Sequence, residues 1–149
     1  MSPARAEALV KLTMRGLALS FAVVGILFIA TPDGVLDVIS DFGNWLPLGR
    51  FTRAPETTEQ FWLALGFAYM VVITGICLVA QADVVRYRPL LLVLAAGKTA
   101  SSLGSLAFFL IQEQVFIYLL NFLVDGFLAA VALMLWSVAG RIGEPAAPS

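Results

Sequence analysis

Hydrophobic residues run almost unbroken through four stretches of the chain, Leu12–Ala30, Phe61–Ala80, Leu90–Ile111 and Val115–Ala139. Each approaches or exceeds the roughly 20 apolar residues that a helix needs to cross a hydrocarbon layer about 30 Å thick. The pattern therefore predicts four transmembrane helices. Three polar residues, Gln112–Gln114, separate the last two, so these must form a tight antiparallel hairpin. The punctuation agrees with this division. Ser2-Pro3 suits an N-cap followed by proline in the first turn. Thr57-Thr58-Glu59-Gln60 reads as a capping box before the second span. Pro89 can open the third, where its missing N–H is not needed.

The one long interval, residues 31–58, has a different pattern. Thr31 is placed to cap a helix that Pro32 opens. Asp33, Asp37 and Asp41 then recur at every fourth position, and Val35, Leu36, Val38, Ile39 and Phe42 occupy the other side. Such a segment predicts an amphipathic helix lying in the membrane surface and ending at Gly43. The acidic stripe reads as a solvated face, because a straight row of carboxylates does not wrap a cation that wants six to eight oxygens. Trp45 and Phe51 fit an interfacial aromatic belt. Arg50 and Arg53 are placed to meet headgroups or the nearby acids.

Composition supports a membrane class: 60% of the 149 residues are hydrophobic and 13% charged, with a mean hydropathy of +0.94. Soluble domains carry about 25% charged residues. The expected fold is all-α, a four-helix transmembrane bundle with a short interfacial helix in the first outer loop. Residues 1–140 form one domain and 141–149 a disordered tail. Lysine and arginine are distributed unevenly between the two sides. Arg5, Lys11, Arg15, Arg86, Arg88 and Arg141 fall on the side of the termini, against Arg50 and Arg53 on the other. That bias predicts a plasma (inner) membrane protein with both termini cytoplasmic. Arg15, one turn inside the first span, can snorkel to the interface. Cleavage of the first span as a leader after Ala30 would put Phe28 at −3, where a small residue is wanted.

Net charge is −1 and histidine is absent. Nucleic-acid partners, imidazole-ligated haem, most zinc sites and histidine acid–base chemistry have no support in such a chain. Cys77 is the sole cysteine and has no disulfide partner within the chain.

Two charges inside the spans demand an explanation. Lys98 and Asp125 lie near mid-span, where a charge costs about 2.5–3.5 kcal/mol on insertion scales. Folding the hairpin about residue 113 sets Lys98 opposite about residue 128 and Asp125 opposite about residue 101. The two are within one turn in depth. At about 100° per residue, Lys98, Ser101, Ser102 and Ser105 share a face, and so do Asn121 and Asp125. A buried Lys98–Asp125 pair follows, supported by Asn121, Ser101, Ser102 and Ser105, with Thr74 of the second span as a further candidate. The pair has two readings, a structural bond that fixes helix register and a proton, ion or ligand site. Gly97, Ser101 and Ser105, and likewise Gly126 and Ala130, also make small-xxx-small spacings suited to close helix approach.

Sharper motifs fail. "GKT" at Gly97–Thr99 ends like a phosphate loop, but the first glycine such a loop needs falls at Leu92, and the context is a membrane helix. A Ser–Lys dyad has Ser101 and Ser102 in reach of Lys98, yet a carboxylate neighbour favours the charged ammonium, the wrong state for a base. No catalytic residue, metal or resident cofactor is predicted. Among redox ligands only a quinone or another noncovalent group suits the polar pocket, with Phe108, Phe109 and Tyr118 nearby.

The layout resembles the small four-helix bacterial membrane proteins grouped as DoxX-like. The shared features are a first span closing in "TPDG", a long first loop, "FWLALGFAYM" at the second span, the lysine in "GKTASSLG" and "NFLVDG" in the fourth. That resemblance covers about residues 15–137 and implies the fold and an inner-membrane location. Some members are similar to subunits of quinone-linked oxidoreductases, but no family catalytic residue transfers to this chain. The expected role is a non-enzymatic accessory or scaffold subunit in a homo- or hetero-oligomer with other membrane proteins. The alternatives are a small carrier or proton-coupled protein using the polar core and, third, a quinone-associated redox subunit.

Overall fold

A computed structural model of the protein describes residues 2–142 apart from Gly49, Thr57 and Glu59. Five helices account for most of them: α1 (Pro3–Ala30), α2 (Pro32–Trp45), α3 (Gln60–Ala82), α4 (Pro89–Ile111) and α5 (Phe116–Ile142). Four of these, α1, α3, α4 and α5, are long and apolar enough to cross a membrane. There is no strand among the described residues, only an isolated bridge between Thr52 and Val115.

Each span is predicted within a few residues except at its charged ends. α1 begins nine residues before the apolar run, and its 28 residues reach about 42 Å at 1.5 Å per residue. The extension carries an i,i+4 ion pair, Glu7–Lys11, at 2.6 Å. α5 runs on to Ile142, taking in Arg141, so the helix continues into the segment expected as a tail. Residues 143–149 and the proposed capping box, with Thr57 and Glu59, lie outside the described residues.

The spans form a ring of two pairs. α1 packs along α3, α4 packs along α5, and α1–α5 and α3–α4 contacts join them. On α1 the buried residues are Ala6, Val10, Met14, Ala18, Phe21 and Gly25, a stripe repeating every three or four residues. Apolar residues also cover the opposite, lipid-facing side, with Leu12 and Leu19 about 70% exposed. Hydrophobicity therefore does not choose the inward face in such a helix. Packing fit does, with Met14 and Phe21 filling space on α1 and small residues letting backbones approach closely. Ala80, Ala95, Ala129, Ala132 and Ala139 are buried accordingly, and a Cβ on Gly25 would stand 2.9 Å from Met70 Cβ on α3.

The bundle divides at the level of Lys98 and Asp125. Toward the termini lies a dense core in which Val10, Met14, Cys77, Leu91, Leu94, Ala132 and Leu135 are almost completely buried. Arg88 closes this terminal half. It donates from Nε to the Trp136 carbonyl at 2.9 Å and lies over the Trp136 ring at 4.1 Å, in space that only Gly140 leaves open. Arg15 does more than snorkel: its Nε donates to Gln81 Oε1 at 2.8 Å and links α1 to α3.

α2 crosses the other end of the bundle, against α1 and α5. Three details of its predicted form change. Thr31 stands at the N-cap position, but its hydroxyl donates back to the Leu27 carbonyl at 3.3 Å and does not cap. Ser2 likewise makes no side-chain cap. Gly43 does not end α2, which continues to Trp45. A Cβ on Gly43 would stand 2.6 Å from Phe116 Cβ, so this glycine admits the Phe116 ring at the α2–α5 crossing. Phe42, Phe51, Phe109 and Phe116 gather around that point. Following α2, the loop is stitched down by Phe51 N–H to Asn44 Oδ1 (3.1 Å), Thr52 N–H to the Gln114 carbonyl (3.1 Å) and Ala54 N–H to Ser40 Oγ (3.5 Å).

Candidate functional site

The hairpin register brings the two intramembrane charges together. Lys98 Nζ donates to Asp125 Oδ1 at 2.9 Å, with the residues 2% and 3% exposed. The ammonium has two further neighbours that the sequence did not identify. The Phe21 ring of α1 lies 4.6 Å from Nζ and the Tyr69 ring of α3 lies 5.7 Å away, both within the roughly 6 Å reach of a cation–π contact. All four spans thus meet at one charge: α4 supplies it, α5 neutralises it, and α1 and α3 cover it with aromatic faces. One clue was available. Gly97 adjoins Lys98, and a Cβ there would stand 3.2 Å from Tyr69 Oη. Gly97 therefore makes room for a tyrosine of the same chain.

One turn nearer α2, the polar residues form a second layer. Asn121 Nδ2 donates to Ser105 Oγ at 2.7 Å and to Ser101 Oγ at 3.1 Å. Ser102 Oγ donates to the Phe122 carbonyl at 2.8 Å. A Cβ on Gly126 would stand 3.1 Å from Ser102 Oγ, so this small residue also serves packing within the hairpin. Both serines near Lys98 are engaged with α5, which leaves no Ser–Lys dyad. Thr74 stays apart from the network: its hydroxyl donates to the Met70 carbonyl at 2.7 Å, and it borders a small gap of about 170 Å³ on the α1–α3 side. The backbone of α3 supplies its acceptor.

Tyr69 Oη is enclosed with no hydrogen-bond partner among the described residues. A buried hydroxyl without a partner is costly, and this one lies beside the ion pair.

Above the polar layer a cavity of about 550 Å³ lies between α1 and α5. Val24, Leu27 and Phe28 form one wall, and Leu120 and Val124 are on the other. Val35, Leu36 and Ile39 of α2 roof it, while Ser105, Tyr118 and Asn121 bring the polar atoms. The apolar side of α2 thus divides between the cavity and the surroundings, with Val38 and Trp45 70% and 77% exposed.

The acidic stripe is engaged at the surface. Arg53 Nη2 bonds Asp41 Oδ1 at 2.8 Å, and its Nε lies 3.9 Å from Asp37 Oδ1. The hydrogen bond to Asp41, then the Asp41 and Asp37 charges, hold the guanidinium pKa above its usual value.

No family model, curated protein or solved structure matches the chain.

Proposed function

We propose that this is a non-enzymatic accessory or scaffold subunit of a membrane complex, of the DoxX-like type its motifs resemble. In this reading it resides in the plasma (inner) membrane with both termini cytoplasmic, assembled with itself or with other membrane proteins. The observation that carries the reading is the enclosure of Lys98. Its ammonium meets one carboxylate oxygen and two aromatic faces, with a dense core on its terminal side. Such a charge is suited to fix the depth and rotation of four predominantly apolar helices. The lysine and arginine bias supports the orientation. The exposed Val38 and Trp45 beside the acidic edge of α2 support an interfacial position for that helix.

A native pull-down of the detergent-solubilised protein tests the subunit role. A stoichiometric membrane partner or a defined homo-oligomer is the expected result, and a bare monomer after mild extraction contradicts it.

The second reading is a small carrier or proton-coupled protein. It is favoured by the unpartnered Tyr69 hydroxyl beside Lys98 and by the cavity one turn above Asp125. An Asp125→Asn protein that folds with native stability but loses proton uptake would select this reading over the scaffold. A quinone-associated role has the narrowest support, from Tyr118 at the same cavity, whose hydroxyl can donate to a carbonyl.

A further inference from the structure

We propose that the cavity between α1 and α5 binds a neutral single-chain amphiphile with a hydroxyl head, its chain lying under α2. Size sets the scale: about 550 Å³ falls within the roughly 300–1,000 Å³ of small-molecule sites, which suits one alkyl or isoprenoid chain. Charge sets the class. Among the described residues no lysine, arginine, aspartate or glutamate lines the cavity, and a carboxylate or ammonium placed against them would be buried without a counter-charge.

The polar atoms set the head group. Asn121 spends both amide protons on Ser101 and Ser105, so its carbonyl oxygen is the group left to accept. Ser105 Oγ accepts from Asn121 and keeps its own proton to donate. A hydroxyl both donates and accepts, so it satisfies Asn121 Oδ1 and Ser105 Oγ together. An ester or ketone can only accept and would leave the Asn121 oxygen unpaired. Leu27 and Val124, on its two walls, are 47% and 45% exposed, so the cavity is not sealed between α1 and α5. The site lies outside the Lys98–Asp125 pair, so the inference holds whichever role that pair has.

The test uses the full-length protein in phosphatidylcholine nanodiscs, with binding read by native mass spectrometry. Oleyl alcohol, methyl oleate and oleate at pH 9 serve as probes. Oleyl alcohol is expected to bind one to one, at least fivefold tighter than methyl oleate and at least tenfold tighter than oleate. Val24→Trp fills the wall without touching the polar layer and is expected to abolish binding with the thermal midpoint retained. Asn121→Leu is expected to erase the preference for alcohol over ester. Binding of all three probes within twofold overturns the proposal. So does oleyl alcohol binding that survives Val24→Trp, or a site that keeps co-purified phospholipid and refuses the alcohol.

Discussion

The two halves of this bundle are built from equally apolar sequence and differ in how that sequence is used. In the terminal half, Met14, Leu91, Leu94 and Leu135 interlock around alanines and Cys77. In the half under α2, α1 and α5 part beside the Asn121–Ser105 layer and leave a cavity. Lipid tails are as apolar as leucine, so burial of apolar surface does not by itself hold membrane helices together. The terminal half coheres by close packing. The other half is held by a hydrogen-bonded layer, an aromatic cluster at the Gly43–Phe116 crossing and a loop stitched across the end. Stability is thereby concentrated on one side of the ion pair and adaptable space on the other.

The pair at the seam should give the largest effect. Asp125→Leu alone strands a buried ammonium and is expected to cost about 3–5 kcal/mol, read from unfolding in mixed micelles titrated with SDS. Combining it with Lys98→Met should return the protein to within about 1 kcal/mol of the parent. A double variant as damaged as the single would show that the loss does not come from the stranded ammonium.

The halves themselves are compared by Leu135→Ala against Leu120→Ala. The first opens a void in the dense core and is expected to cost about 2 kcal/mol, near the lower end of the soluble-protein range because lipid removes the transfer contribution. The second only enlarges existing space and should cost less than about 0.5 kcal/mol. Equal losses would abolish the distinction between the halves.

Gly43→Ala drives a methyl into Phe116 and is expected to cost about 1–2 kcal/mol by overpacking. Hydrogen exchange should show it as faster exchange at Leu46 and Thr52, with α3 and α4 unchanged.

The smallest effect belongs to Arg53→Ala. Arg53 and its partners are largely exposed, and exposed ion pairs contribute little, so the unfolding midpoint should not move. Its raised pKa acts on stability only where the guanidinium begins to lose its proton, far above neutrality. A midpoint titrated between pH 5 and 9 should therefore show no step that disappears in the variant.

Much of the site was legible because it stands out against an apolar background. A charge in a membrane helix needs a partner, and a three-residue turn leaves little choice of register, so Lys98, Asp125, Asn121 and the serines could be placed from spacing alone. Tyr69 and Phe21 could not. They lie on helices joined to the hairpin by longer connections, and an aromatic residue in a span is as compatible with lipid as with a cation. Thr74 shows the converse limit, since a hydroxyl in a helix always has its own backbone carbonyl within reach. Gly43 was read as a terminator because glycine commonly stops a helix, whereas here it admits a neighbouring ring.

By itself the sequence determined the number of spans, the existence of α2 and the ion pair of the α4–α5 hairpin. Those features follow from the length of apolar runs, the three-to-four-residue repeat and the cost of an unpaired charge, all of which act locally or across a short turn. Tertiary structure alone decided the ring order of the helices, the aromatic enclosure of Lys98 and the cavity beneath α2. These depend on which of several equally hydrophobic faces turns inward, and that choice is made by shape complementarity between helices distant in the chain.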